Sequence, residues 1–348
     1  MTFLRGIQVT RPDNWWLPKI PPLLAVGYLS MLATKADFIR AAFLLGCYLF
    51  SLSSAAAYGH VVNDSFDVDA DLRAGKGNAM AGASWARRLS LCAALLLAGF
   101  APAWVAPYTT TTLLLLALTF LWPTLYSVPG LRLKERGVAG LACDALGSHV
   151  TPTLVMLSLF GMTDPPWSGR LFPWAVVAWS TALGLKGILH HQMKDRAGDI
   201  RSATVTFATA TARPERLTRF LTCFNLCVVL PISAALALAT VRWAPAVAIA
   251  FAAYCLLETA KYLLGFEFAL TAEAWTLRRS VPFTNESFYT VWAPLAAVIQ
   301  STIGEPTRLW MPVVHVLLFY PTLAAQWSEM KAIARVAGWP QRSRQRVR

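Results

Sequence analysis

Charge is scarce in this sequence. Of its 348 residues 56% are hydrophobic and only 14% are charged, whereas a soluble domain carries nearer ~25% charge. Such a chain cannot clothe a water-facing globule. The six cysteines, Cys47, Cys92, Cys143, Cys223, Cys227 and Cys255, lie inside apolar stretches. No CxxC pair and no Cys/His cluster occurs, so neither a disulfide framework nor a zinc site is indicated. Period-2 alternation is also missing, which argues against a transmembrane barrel. No nucleic-acid motif accompanies the net charge of +13. The start of the chain, with Arg5, Arg11 and Lys19, lacks the pattern of a cleavable signal peptide.

Long apolar runs dominate instead. Stretches of roughly 20 residues, each able to cross a bilayer, fall at about 20–34, 38–62, 86–106, 109–127, 138–160, 171–192, 217–240, 245–265, 286–303 and 309–328. The fold class expected is all-α, a polytopic membrane helical bundle forming one integrated domain over 1–348, with ten spans. The stretch 286–303 also reads as a re-entrant or surface helix, which would leave nine. The polar segment 267–285 reads as a loop. Basic residues collect in particular connections: Arg73, Lys76, Arg87 and Arg88; Arg132, Lys134 and Arg136; Lys194, Arg196, Arg201 and Arg213; Arg278 and Arg279. The tail adds Arg342, Arg344, Arg346 and Arg348. The positive-inside rule assigns these segments and both termini to the cytoplasm. A bacterial inner membrane fits this composition, and a basic face suits anionic head groups or a diphosphate substrate.

Against this background two acidic clusters stand out. Asn63-Asp64-Ser65-Phe66-Asp67-Val68-Asp69-Ala70-Asp71 follows one apolar run, and Asp195-Arg196-Ala197-Gly198-Asp199 follows another. Carboxylates beside a span are costly unless a cation compensates them. A helix turns about 100° per residue. Asn63, Asp67 and Asp71 therefore form one stripe, with Asp64 sharing its face and Asp69 on the opposite, solvated side. His191, Asp195 and Asp199 form a second stripe. Mg²⁺ prefers oxygen ligands and is commonly held by one or two carboxylates plus substrate phosphate oxygens. Two facing rows could hold Mg²⁺ with a diphosphate between them. Basic side chains nearby, among them Lys76, Arg136 and Lys186, would add to its binding. Either cluster alone also reads as a solvated helix end; two on one membrane side favour a shared cation. His191 could orient an acceptor or take its proton, or be merely hydrogen-bonded. Asp144 and His149 could line a cavity, but read first as a structural hydrogen-bonding pair. Glu258 and Lys261, three apart, read as an ion pair.

Together these residues resemble the UbiA superfamily of intramembrane prenyltransferases. Asn63 to Asp71 matches that family's NDxxDxxxD motif at every specified position. Asp195, Asp199 and Thr206 match DxxxDxxxGxxT, with Ala203 in the glycine's place. Tyr126-Ser127-Val128-Pro129-Gly130-Leu131-Arg132-Leu133-Lys134 resembles the YSxPPxRLK loop, with Gly130 replacing the second proline. Asn78-Ala79 stands where the family often has Arg-Pro, and Lys76 could supply that charge. The resemblance covers about 15–305 and leaves about 306–348 as an added span and basic tail. It implies nine helices around a central cavity, open to a cytoplasmic polar cap and to lipid. It also implies Mg²⁺-dependent transfer of a prenyl group from an isoprenyl diphosphate to an aromatic or other lipophilic acceptor, releasing diphosphate. Carried over, Asn63, Asp64, Asp67 and Asp71 would serve one metal group, and Asp195 and Asp199 the other. Tyr126 and Lys134 would sit near the diphosphate. Catalysis would fall to Asp67, Asp71, Asp195 and Asp199, with His191 beside them. The alternatives are a membrane terpene cyclase acting on the prenyl diphosphate alone and, less well matched, an ion-coupled transporter.

Overall fold

The computed structural model of the protein describes residues 12, 15–164, 170–265, 287–303 and 305–338. The segment expected as a loop at 267–285, with Arg278 and Arg279, and the arginines of the tail lie outside the described residues.

Among the described residues the chain is helical, with no strand. Helices α1 (Trp16–Thr34), α2 (Phe38–Arg73), α3 (Trp85–Phe100) and α4 (Thr110–Ser127) come first. Asp37, Ser84 and Thr109 cap α2, α3 and α4 by accepting a backbone N–H in the first turn. Helices α5 (Val138–Ala145) and α6 (Thr151–Leu159) are joined by a π-helical turn, Leu146–Val150. The rest are α7 (Leu171–Arg201), short α8 (Phe207–Ala210), α9 (Pro214–Phe224), α10 (Leu230–Thr240), α11 (Pro245–Leu263), α12 (Ala293–Gln300), α13 (Trp310–Leu318) and α14 (Tyr320–Gly338).

Six helical stretches are long and apolar enough to cross a membrane: Phe38–Arg73, Trp85–Trp104, Thr110–Ser127, Leu171–Arg201, Glu215–Thr240 and Pro245–Leu263. The other four expected spans are helical too. The one at 138–160 is interrupted by the π-helical turn, and the one at 309–328 breaks at Phe319. The helical stretch Phe288–Gln300 packs against α1 and α11 with Phe288, Val291, Ala297 and Val298 buried, so it is part of the bundle wall rather than a surface helix.

The bundle is apolar outside as well as inside. Leu97, Trp104, Ile249, Leu256 and Leu317 are exposed, a surface suited to acyl chains and costly in water. The core is built around Leu23, Tyr48, Met156, Val176, Trp179, Leu236 and Val298. Polar staples cross it: Tyr48 Oη donates to the Pro152 carbonyl at 2.6 Å, and Trp179 Nε1 donates to Ser233 Oγ at 3.2 Å. Helix α7 lies tight on α5, where a Cβ at Gly184 would sit 2.9 Å from Ala145 Cα.

The C-terminal helices dock through specific contacts. Tyr28 Oη lies 3.2 Å from His315 Nδ1, and the Trp16 and Phe319 rings stack at 5.7 Å. Lys261 meets Glu258 at 2.5 Å, as its spacing implied, and also Glu329 of α14 at 2.6 Å.

Candidate active site

The two acid-bearing helices are too long for the membrane alone. α2 has 36 residues and α7 has 31. At 1.5 Å per residue they extend about 54 Å and about 46 Å, against a hydrocarbon core of about 30 Å. Neither breaks where its apolar run ends, so each carries its acidic row on a rigid extension of the span.

Both extensions face one cavity of about 1020 Å³. From α2 it receives Leu52, Ala56, His60, Asn63, Asp67 and Asp71; from α7 it receives Trp179, Leu183, His191, Asp195 and Asp199. Lys76, Tyr126 and Lys134 also line it. The two acidic rows share this lining with aromatic and aliphatic side chains such as Leu23, Trp122, Trp179 and Leu183. Three expected residues are absent from this lining. Asp64 stands about 60° around α2 from Asp67 and is fully buried. Arg136 is exposed and donates to the Gly130 carbonyl at 2.7 Å, closing its own loop. Lys186 is buried and meets the hydroxyl of Tyr289, a lining residue, at 3.1 Å.

The first row is tightly held. Lys134 Nζ pairs with Asp67 and donates to Asn63 Oδ1 at 3.3 Å. Arg132 reaches Asp67 at 3.1 Å and Glu135 at 2.5 Å. Burial pulls the Lys134 ammonium below its ordinary pKa, and the Asp67 carboxylate opposes that pull. Asn78 donates to Asp71 Oδ2 at 2.7 Å and to the Asp64 carbonyl at 3.0 Å, in the place where Arg-Pro was expected. Arg88 staples the same connection to α2 by donating to the Ser65 carbonyl at 2.8 Å and to that of Met80 at 3.0 Å.

Backbone conformation accounts for two departures from the motifs. Gly130 has φ +91°, which proline, fixed near −65°, cannot adopt. Ala203 has φ +56°, a left-handed position that glycine takes without strain. The turn shape that the second motif needs is retained, at a conformational cost.

The second row is held loosely. Lys76 Nζ lies 3.5 Å from Asp195 and 3.8 Å from Asp199, and His191 Nε2 lies 3.5 Å from Asp195. Lys76 follows α2 in sequence yet pairs with acids on α7. One flexible cation therefore spans the two rows. The donors are oxygens of carboxylates and an amide, a set suited to a hard divalent cation. Among the described residues no three His, Cys, Asp or Glu side chains are drawn together as a ready-made metal centre. That fits an ion held by one or two carboxylates and completed by phosphate oxygens.

Comparison with solved structures decides the fold. A UbiA homologue from Archaeoglobus fulgidus bound to GPP and Mg2+ superimposes with a TM-score of 0.57 at 18% identity, covering 86% of this chain and 98% of that one. The chain has the UbiA fold. The same homologue bound to DMAPP and Mg2+ gives a TM-score of 0.57 at 18% identity, over 86% of this chain and 99% of that one. A digeranylgeranylglyceryl phosphate synthase structure gives 0.56 at 16% identity, over 86% and 98%. No protein-family model and no curated protein matches the sequence.

Within the UbiA fold the chain holds three site residues whose roles the sequence reading did not name. Arg132 grips Asp67, Asn78 grips Asp71, and Ser127 Oγ donates to Asn63 Oδ1 at 3.3 Å. Arg132 and Ser127 sit inside the YSxPPxRLK-like stretch, which was the available signal. For Asn78 there was only a mismatch.

Proposed function

We propose that this protein is a UbiA-type, Mg²⁺-dependent prenyltransferase, moving a prenyl group from an isoprenyl diphosphate to a lipophilic acceptor and releasing diphosphate. One observation carries the reading: both aspartate rows face a single cavity whose wall also carries aromatic and aliphatic side chains. A diphosphate needs the first part and an isoprenoid chain needs the second. The fold is that of proteins whose structures are described with GPP, DMAPP and Mg2+ bound.

Asn63, Asp67 and Asp71 on α2, with Asp195 and Asp199 on α7, are the residues that would hold the metal. When bound, Mg²⁺ screens the diphosphate charge and eases departure of the leaving group. Lys134 and Arg132 hold Asp67 in one orientation, so the α2 row is preorganised. Lys76 is placed to leave the carboxylates and meet diphosphate oxygens. The apolar wall, with Trp179 and Leu183, excludes water that would quench an allylic cation. His191, 64% exposed, stands at the mouth beside Asp195.

The test is incubation of purified protein with geranylgeranyl diphosphate and a total membrane lipid extract. Metal-dependent release of diphosphate with a prenylated lipid product is expected. A cyclic product formed without the extract would replace this reading with the cyclase. No metal-dependent release of diphosphate would end both.

A further inference from the structure

The π-helical turn between α5 and α6 faces the cavity. It brings three consecutive residues, Gly147, Ser148 and His149, to the cavity wall together with Asp144. Such turns recur at functional sites. Polar side chains inside a membrane bundle are expensive without a task. Here they form a chain: Ser148 Oγ donates to Asp144 Oδ2 at 3.3 Å and lies 2.6 Å from His149 Nδ1.

A hydroxyl has one proton. When Ser148 gives it to the Asp144 carboxylate, Ser148 Oγ accepts from His149, and in that arrangement Nδ1 carries the hydrogen and Nε2 keeps its lone pair. The ring stands beside α7, where a Cβ at Gly187 would meet His149 Cε1 at 3.8 Å. The charged groups within reach are Asp144, through Ser148, and Lys19. Tyr126 lies within electrostatic reach of Asp144, Asp67 and Asp199, which ties this cluster to the acidic mouth.

We propose that His149 is the base that receives the acceptor's proton, with Ser148 and Asp144 as positioning residues. This rests on the prenyltransferase reading. In the step, the C–O bond of the prenyl diphosphate breaks and its electron pair leaves on the diphosphate. The acceptor forms a bond to the prenyl C1, and its proton passes to His149 Nε2. Asp144 and Ser148 hold the ring in place for that transfer.

The test has two arms. In the first, ¹⁵N-histidine spectra of the purified protein are taken with His149→Gln to assign the ring. An Nδ1–H tautomer that is lost in Ser148→Ala is expected; an Nε2–H tautomer overturns the relay. In the second, labelled geranylgeranyl diphosphate and a total membrane lipid extract are the probes. His149→Gln is expected to lower kcat for prenylated lipid by about 100-fold or more, and Ser148→Ala by less, with KM for the diphosphate unchanged in both. Equal kcat in wild type and His149→Gln overturns the proposal, as does a change confined to KM. If the wild type itself forms no prenylated lipid, the prenyltransferase reading falls and takes the base assignment with it. The tautomer measured in the first arm would still stand.

Discussion

The ends of α2 and α7 carry the same chemistry under opposite constraints. Asp67, 11% exposed, is clamped by Arg132 and Lys134, and Asp71 is held by Asn78. Asp195, 32% exposed, meets its cations only at 3.5 Å, and Asp199 meets Lys76 at 3.8 Å. One row is fixed before any ligand arrives; the other is free to adjust. A site that must admit a long amphiphile and then grip its charged head gains from that division, because the rigid half supplies preorganisation and the loose half supplies access.

Four substitutions test this contrast. The largest effect is expected at the clamped row. Asp67→Ala leaves the buried Lys134 charge without its carboxylate, costing about 3–5 kcal/mol of stability as well as turnover. Thermal unfolding in detergent, read beside diphosphate release, checks both. At the loose row, Asp195→Ala is expected to lower turnover by about 10²–10³-fold while the melting temperature stays near wild type. Equal destabilisation by the two variants would erase the distinction between rows. Lys76→Met comes next: diphosphate binding weakens about tenfold, as for loss of a charge-assisted hydrogen bond, with stability changed by less than about 1 kcal/mol. The smallest effect is a gain. Ala203→Gly relieves a left-handed backbone and is expected to stabilise by about 1 kcal/mol, with activity retained. A loss of stability there would contradict the reading of Ala203 as a strained stand-in.

Much of this architecture was legible beforehand, for identifiable reasons. Hydrophobic run length gave the helices, because a span must bury its whole backbone within one element. Four-residue spacing gave the two stripes, because an unbroken helix preserves phase from Leu52 to Asp71. Asp64 shows where this stops. Spacing placed it on the shared face, but it sits at the edge of the stripe, where Asn78 of the following connection and Arg88 of α3 cover α2. Arg136 and Lys186 had suitable charge, yet their directions depend on a loop carbonyl and on Tyr289, both tertiary facts. The π-helical turn at Leu146–Val150 was also invisible, since no residue type demands it; His149 read as a structural partner of Asp144, and Ser148 between them carried no signal. Docking of α13 and α14 through His315 and Glu329 likewise depends on partners far away in sequence.

The most direct measurement is equilibrium binding of labelled geranyl diphosphate to purified protein, with and without Mg²⁺, for wild type, Asp67→Asn and Asp195→Asn. Both rows gripping one diphosphate predicts saturable, metal-dependent binding that falls in each variant. Undiminished binding in either variant, or binding indifferent to the metal, would contradict it.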